Sequence, residues 1–181
     1  MTDHRVLLLP GWQDSGPDHW QSCWQRQHGW QRVMQDDWFW PRRGDWMARL
    51  EEVLLDADRP AVLVAHSLGC HLVAAWAAHS SHTARVLGAL LVAPPDTESP
   101  DTPPQLANWR PMVRKRLPFA ALVLHSSDDP FGNTHCAERL AADWGAAQRC
   151  LGARGHLNAE SGLGDWPEGV AEVRRLAAAG A

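Results

Sequence analysis

The chain contains no tyrosine, and it has no hydrophobic run of the length that a membrane or a secretion signal requires. Its first apolar run, residues 6–9, is too short for the apolar part of a signal peptide or for a membrane span. Positive charge is not in surplus, because 17 lysines and arginines stand against 21 acidic residues. The one basic cluster, residues 110–116, is interpreted as a solvated helix face ahead of a strand, with a basic patch as the alternative. We therefore predict a cytoplasmic protein that binds neither membranes nor nucleic acid.

Cysteine is scarce as well, and its spacing does not match that of a metal site. The four cysteines are Cys23, Cys70, Cys136 and Cys150. In the cytoplasm we expect them to be reduced, and we expect Cys70 to be a small buried hydrophobic residue rather than a nucleophile. His79 and His82 are spaced to bind a metal weakly, but a solvated helix end explains them more simply. No metal and no cofactor are predicted.

The length of 181 residues suits one domain, which we place over residues 1–181. A composition of 45% hydrophobic and 21% charged residues is ordinary for a globular protein. The 11 tryptophans are unusual, and two of them, Trp20 and Trp24, share one face of a predicted helix. We interpret the tryptophans as large fillers of the core and its rim, with a sugar-stacking platform as the alternative.

Short apolar runs alternate along the chain with longer segments of helical period. The predicted strands cover residues 5–9, 32–36, 61–65, 86–92, 119–125 and 147–151. The predicted helices cover residues 18–29, 45–56, 67–80, 134–144 and 167–178, and Asp18 is the expected N-cap of the first. Strands that lack polar alternation and are separated by helices predict an α/β fold with a parallel sheet covered on both faces. A flavodoxin-like binding module would show the same pattern.

Residues 65–69, Ala-His-Ser-Leu-Gly, lie between a predicted buried strand and a predicted helix. This is the pattern of a nucleophile elbow, in which a serine occupies a sharp turn so that its hydroxyl stands clear of the sheet. Because the strand and the helix pass close to each other there, the turn needs small residues at the positions of Ala65 and Gly69. Ser67 is therefore the predicted nucleophile, and His66 is predicted to point away from it.

A nucleophilic serine needs a base to take its proton, and the base needs a carboxylate to orient it. Both must lie at the carboxyl edge of the sheet, where strand-to-helix turns gather. His156 follows the last predicted strand and is the predicted base. Asp129 follows the preceding strand and is the predicted acid, whereas Asp128 is expected to cap the turn or orient the loop. The chain order Ser67, Asp129, His156 is that of α/β-hydrolases.

The tetrahedral intermediate of acyl transfer carries a negative oxygen, which two backbone N–H groups commonly bind. Leu68 is predicted to supply one of them, at the start of the elbow helix, where the helix dipole favours negative charge. Trp12 is predicted to supply the other, because Gly11 lets the loop after the first strand approach the substrate. The alternative is that the Pro-Gly pair in this loop is only a tight turn. Gly11, His19 and Trp20 are the candidate pocket-lining residues.

Residues 93–105 carry five prolines and three acidic residues. Since they follow a predicted strand, they should lie over the carboxyl edge of the sheet. A specificity loop and a stiff connector are both compatible with this composition.

The sequence resembles the small serine hydrolases of the retinoblastoma-binding protein 9 and YdeN type, which are minimal members of the α/β-hydrolase superfamily. The resemblance is carried by residues 8–11, 45–46, 66–69, 128–131 and 155–156. It implies an α/β-hydrolase fold with a parallel sheet of about six strands, flanked by helices on both faces and without a cap domain. The resemblance also places the nucleophile of the family on Ser67, its acid on Asp129 and its base on His156.

The expected activity is that of a serine hydrolase acting on small ester, thioester or amide substrates through an acyl-enzyme intermediate. Ser67 attacks the carbonyl, His156 takes its proton and Asp129 orients His156. The expected partner is a small acyl substrate, and neither esterase, thioesterase nor peptidase action is singled out. The alternative is a non-catalytic protein-binding module on the same scaffold. Retinoblastoma-protein binding is not implied, since the chain has no Leu-x-Cys-x-Glu segment.

Overall fold

A parallel sheet of six strands forms the centre of the computed structural model, which describes residues 4–180. The strands are β1 (Arg5–Leu9), β2 (Gln31–Arg32), β3 (Ala61–His66), β4 (Val86–Val92), β5 (Ala120–His125) and β6 (Ala147–Cys150). The α-helices are α1 (Trp20–His28), α2 (Arg43–Leu55), α3 (Leu68–His79), α4 (Thr134–Trp144) and α5 (Pro167–Gly180). Short 3₁₀ helices cover Thr83–Arg85, Pro104–Trp109 and Ala159–Ser161.

The strand order of the sheet is β2-β1-β3-β4-β5-β6, and every neighbouring pair is parallel. The chain thus moves outward from β1 to β2, returns past β1 to β3, and then proceeds in the other direction. The loops after β1 and β3 consequently leave the sheet toward opposite sides and open a crevice between them, where open α/β sheets bind ligands. The predicted architecture of six parallel strands flanked by helices is confirmed, and residues 4–180 include no cap domain.

Each face of the sheet carries its own hydrophobic core, and β3 contributes to both. Leu63 and Ala65 pack toward α2, α3 and α4, while Val62 and Val64 pack toward α1 and α5. All six residues of β3 are buried and the first five are apolar, which is typical of a central parallel strand.

Most of the tryptophans lie in these cores, which confirms their interpretation as large core fillers. The ring of Trp20 lies 4.6 Å from that of Trp24 and 5.2 Å from that of Trp166, so three indoles fill the space between α1 and α5. Trp40 is different, because it is 60% exposed. The fully buried tryptophans are Trp20, Trp24, Trp46, Trp76, Trp109 and Trp144.

Two predicted element boundaries are wrong for local reasons. Helix α1 begins at Trp20 because His19, rather than Asp18, is its N-cap and accepts the N–H of Gln21 at 3.1 Å. Strand β2 covers two residues instead of 32–36, because it lies at the sheet edge and has one neighbour to hold it. The other elements agree with prediction to within two residues at each end, and α4 agrees at both ends.

The basic segment, residues 110–116, is not the predicted helix face, because it contains no helix. Arg110 donates instead to two carbonyls of the proline-rich segment, residues 93–105. Arg114 forms an ion pair with Glu98 at 3.1 Å. The arginines therefore attach the proline-rich segment to the chain that follows it.

The proline-rich segment lies over the carboxyl edge, as predicted, and two further contacts hold it there. His71 of α3 is buried, and its Nε2–H donates to the carbonyl of Pro95 at 2.7 Å. The N–H of Asp96 donates to the carbonyl of Phe131 at 2.8 Å. These bonds connect the segment both to α3 and to the loop after β5.

All four cysteines lie within the described residues, and none of them forms a disulfide. Cys70 is fully buried, and burial raises the pKa of its thiol far above the ordinary value. Its prediction as a small buried hydrophobic residue is confirmed. Between residues 4 and 180, no helix combines the length and the apolar content needed to cross a membrane.

Gly69 is the point at which α3 packs against the end of β1. A Cβ atom at this position would overlap the carbonyl oxygen of Leu9 and lie 3.0 Å from that of Pro10. Gly69→Ala should therefore lower the free energy of unfolding by about 1–3 kcal/mol, as overpacking does. The urea midpoint measures this. Gly44→Ala in α2 is the control, since a Cβ there meets no atom within 4 Å and should be neutral or mildly stabilising; equal midpoints in the two variants would contradict the prediction.

The protein should lose stability as the pH falls from about 6.5 to about 4, and His71 is one cause. Burial lowers the pKa of His71 to about 4, whereas a histidine of the unfolded chain titrates near 6.5. Within this window the unfolded state binds a proton that the folded state does not, so the free energy of unfolding falls with pH. Urea titrations at a series of pH values test this. His71→Gln keeps an N–H donor but does not titrate, so its free energy of unfolding should depend less steeply on pH. An equally steep dependence in this variant would count against His71.

Candidate active site

Ser67 lies immediately after β3 and before the first residue of α3, so the predicted elbow is present. Its φ is 54°, in the left-handed region that residues with a side chain rarely adopt. The N–H of Ser67 donates to the carbonyl of Val92 at 2.9 Å, which fixes the turn to the end of β4. The strained conformation carries the Ser67 side chain out of the strand and toward the carboxyl edge.

A continuous chain of hydrogen bonds joins the three residues predicted from the sequence. Ser67 Oγ lies 2.9 Å from His156 Nε2, and His156 Nδ1 lies 2.8 Å from Asp129 Oδ2. Since a carboxylate only accepts, Nδ1 carries the proton and Nε2 presents its lone pair to the Ser67 hydroxyl. The Asp129 side chain is 2% exposed and that of His156 is 9% exposed, so water hardly competes for these bonds.

Asp128 does not contact the imidazole, and its carboxylate holds the loop that carries His156. Its Oδ1 accepts the N–H of Gly155 at 2.7 Å and the hydroxyl of Ser126 at 2.6 Å. The hydrogen bond from Ser126 is the largest cause that lowers the pKa of Asp128. The two neighbouring aspartates thus have different contacts: Asp129 meets the imidazole, and Asp128 meets the backbone beside it.

The loop after β1 passes directly beside the nucleophile. A Cβ on Gly11 would lie 2.8 Å from Ser67 Cβ and 3.2 Å from the backbone nitrogen of Leu68. Trp12 and Leu68 both line the cavity at Ser67, and neither backbone N–H donates to a protein acceptor within residues 4–180. Gln13 follows with a left-handed φ of 67°, a turn that the sequence pattern does not indicate.

Ser67 and His156 open into a cavity of about 340 Å³. One part of its wall is apolar, and the proline-rich segment contributes Pro95 and Pro103 to it. Another part is polar and includes His19, as predicted. Phe131, 57% exposed, lies at the mouth with its ring centroid 4.6 Å from that of His156. The apolar lining residues are Trp12, Leu68, Pro95, Pro103, Leu106 and Phe131, and the polar ones include Gln13, Asp14, His19 and Asn158.

Two predictions about aromatic residues near the site are wrong. Trp20 does not line the cavity: it is 1% exposed, and its Nε1–H donates to the carbonyl of Leu157 at 2.8 Å. As the first residue of α1 it packs into the core, where no substrate reaches it. His66 does not point away from the site but lines the cavity, because the left-handed φ of Ser67 ends the strand alternation between these two residues.

His79 and His82, the pair with metal-like spacing, have separate partners. His79 Nδ1 bonds the carbonyl of Ala75 at 2.8 Å, and His82 Nδ1 lies 2.6 Å from a carboxylate oxygen of Glu51. Among the described residues, no three histidine, cysteine or acidic side chains gather in the manner of a metal site. His79 is the last residue of α3, and His82 lies three residues beyond it.

Solved structures with this architecture include several hydrolases. A protein described as a YdeN-like hydrolase from Pectobacterium atrosepticum superposes with a TM-score of 0.83 at 28% identity, over 97% of this chain and 90% of that one. The ydeN gene product of B. subtilis gives 0.74 at 20% identity, over 96% and 98%. The esterase RhEst1 from Rhodococcus sp. ECU1013 gives 0.68 at 15% identity, over 100% and 93%. The last two likenesses concern the fold alone.

Sequence comparison extends this likeness to the level of the family. No curated protein matches the sequence. The family model described as Serine hydrolase, however, matches residues 6–175, which include the elbow and the segments that carry Asp129 and His156. Because this match spans nearly the whole chain, the protein belongs to the Serine hydrolase family.

Proposed function

We propose that the protein hydrolyses small carboxylic esters, with thioesters and amides as further substrates, through a covalent acyl-enzyme on Ser67. The observation that carries the proposal is the hydrogen-bond chain from Asp129 through His156 to Ser67 Oγ, which ends in an open cavity. A hydroxyl bonded to an oriented imidazole is the arrangement by which serine becomes a nucleophile. Membership of the Serine hydrolase family and its hydrolase neighbours support the same chemistry.

In the first half of the proposed reaction, Ser67 Oγ attacks the substrate carbonyl while His156 Nε2 takes the hydroxyl proton. Asp129 accepts the Nδ1–H throughout and stabilises the imidazolium that forms. The carbonyl oxygen becomes an oxyanion, which the backbone N–H groups of Trp12 and Leu68 bind. The position of Leu68 at the start of α3 adds the favourable field of the helix N-terminus.

In the second half, the imidazolium returns its proton to the leaving group, and the bond between this group and the acyl carbon breaks. A water molecule then attacks the acyl-enzyme, with His156 Nε2 as its general base. Ser67 Oγ leaves with the proton from His156, and the carboxylic acid product is released. Apart from the substrate and this water, the proposed steps use only groups of the protein.

The walls of the cavity indicate the kind of acyl group that it accepts. A volume of about 340 Å³ with an apolar side formed by Pro95, Pro103 and Leu106 suits a short apolar acyl chain. Within residues 4–180 no cap domain covers the mouth, and we propose a carboxylesterase-like preference for small, unhindered esters. We also place the protein in the cytoplasm, where its four unpaired cysteines would stay reduced.

Ser67→Ala should abolish covalent labelling by a fluorophosphonate. Intact-protein mass should show one adduct on the wild type and none on the variant, and hydrolysis of p-nitrophenyl acetate should fall about 10⁴-fold or more. Ser81→Ala is the control, since this serine is exposed beyond the end of α3 and should leave labelling unchanged. Equal labelling of wild type and Ser67→Ala would contradict the role of Ser67. A folded wild type without any adduct would favour the alternative, a binding module.

Gly11→Ala should impair the chemical step while the protein stays folded. The new Cβ would lie 2.8 Å from Ser67 Cβ and 3.2 Å from the Leu68 nitrogen, so it displaces the nucleophile from the proposed oxyanion donors. We expect kcat/KM for p-nitrophenyl acetate to fall by about 10²–10³-fold, the usual cost of a lost oxyanion donor. Gly16→Ala in the same loop is the control, because its Cβ meets no atom within 4 Å. Matching activities for the two variants would count against the proposed oxyanion site.

A further inference from the structure

We propose that Trp20 and His66 are positioning residues for His156. Their ring N–H groups bind two consecutive carbonyls of the loop that carries His156, and so keep its imidazole within hydrogen-bond distance of Ser67. This inference rests on the proposed function, because it takes His156 as the catalytic base.

Three consecutive residues of the His156 loop are each bound by a side chain from a different part of the fold. The N–H of Gly155 donates to Asp128, after β5, as described above. His66, at the end of β3, donates from Nε2 to the carbonyl of His156 at 2.9 Å. Trp20, at the start of α1, donates from Nε1 to the carbonyl of Leu157 at 2.8 Å. The backbone around the imidazole is thus attached to three separate elements.

The loop needs such attachments because its own backbone conformation is unfavourable. Leu157 has a φ of 49° and is completely buried, although a branched side chain strongly disfavours this left-handed region. Between β6 and the 3₁₀ helix Ala159–Ser161 the loop has no regular secondary structure. A strained conformation persists only where its surroundings over-determine it. Here His66 binds the carbonyl just before the φ bond of Leu157, and Trp20 binds the carbonyl just after its ψ bond.

The two donors are themselves held rigidly. A carbonyl only accepts, so the Nε2 of His66 carries the proton, and the residue is buried. The His66 ring centroid lies 4.6 Å from that of His19 and 6.0 Å from that of Trp20. The two donors therefore lie in one aromatic cluster with His19, and within this cluster His19 and His66, but not Trp20, also line the cavity.

Trp24 provides a matched comparison for Trp20. It lies one turn further along α1, is equally buried, and donates from Nε1 to the carbonyl of Asp165 at 2.7 Å. Asp165 is not part of the cavity wall. A Phe replacement at either tryptophan removes one indole hydrogen bond to a loop carbonyl. Only the carbonyl that Trp20 binds belongs to a residue next to His156.

The test compares Trp20→Phe with Trp24→Phe in ester hydrolysis, fluorophosphonate labelling rate and urea unfolding. We expect Trp20→Phe to lower kcat and the labelling rate about 10–100-fold with little change in KM, since small misplacements of a catalytic group have effects of this size. Trp24→Phe should keep kcat and the labelling rate within about twofold of the wild type. Its free energy of unfolding should fall by about as much as that of Trp20→Phe. Equal losses of activity in the two variants, or full activity of Trp20→Phe, would overturn the proposal.

His66→Phe and His66→Gln test the second attachment. Phe keeps a ring but has no donor, whereas the amide of Gln offers an N–H near the original position. We expect the Gln variant to recover part of the activity that the Phe variant loses. If both variants are equally impaired, the role assigned to the His66 N–H is wrong.

A readout without substrate separates this inference from the proposed function. The His156 Nδ1 proton, held by Asp129, should give a low-field proton NMR signal in the wild type and in Trp24→Phe. We expect the signal to broaden or vanish in Trp20→Phe and His66→Phe, and an unchanged signal would overturn the proposal. A wild type that neither hydrolyses esters nor reacts with the fluorophosphonate would refute the proposed function alone, because the NMR comparison would still show whether the two N–H groups position the imidazole.

Discussion

The close packing of α3 against the carboxyl end of β1 is the constraint on which the geometry of the site depends. Only a hydrogen atom fits between Gly69 and the carbonyl of Leu9, so α3 can turn sharply out of β3 directly after Ser67. The same approach brings the Leu68 nitrogen and the Gly11 loop to one side of the nucleophile. A single steric requirement thus sets the strained Ser67 backbone and the position of both proposed oxyanion donors.

The sheet and the side chains contribute differently to the rest of the site. Parallel strands end at one edge, so the topology alone brings the segments after β3, β5 and β6 near one another. Hydrogen bonds of 2.8 to 2.9 Å between Ser67, His156 and Asp129 need a finer adjustment than a strand order supplies. Side chains such as Asp128, through its bond to Gly155, hold the loops in the conformations in which these bonds form.

Sequence reasoning was accurate where the signals were local and failed where two local signals competed. Helix α4 begins after an Asn133 cap and ends before Gly145 at a φ of 66°, and its predicted bounds agree with the structure. At α1 two adjacent residues are able to cap, and the imidazole of His19 does so in place of the Asp18 carboxylate. The cluster at residues 110–116 was predicted to lie on a helix, but Arg110 and Arg114 bind groups of the proline-rich segment 11 to 16 positions earlier, which no helical pattern indicates.

The sequence by itself determined the parallel α/β sheet, the elbow at Ser67 and the candidates Asp129 and His156. The period of apolar residues and the residues of a turn are local properties, and in a parallel sheet the residues that follow successive strands all lie at one edge. Only the tertiary structure decided that Pro95 and Pro103 line the cavity, that Trp20 lies in the core and that His66 binds the His156 loop. The carbonyls that these two rings bind lie 137 and 90 positions away. Such distant residues decide where a side chain at the end of an element points and which group its polar atom binds. Packing, and not local propensity, brings the two partners together.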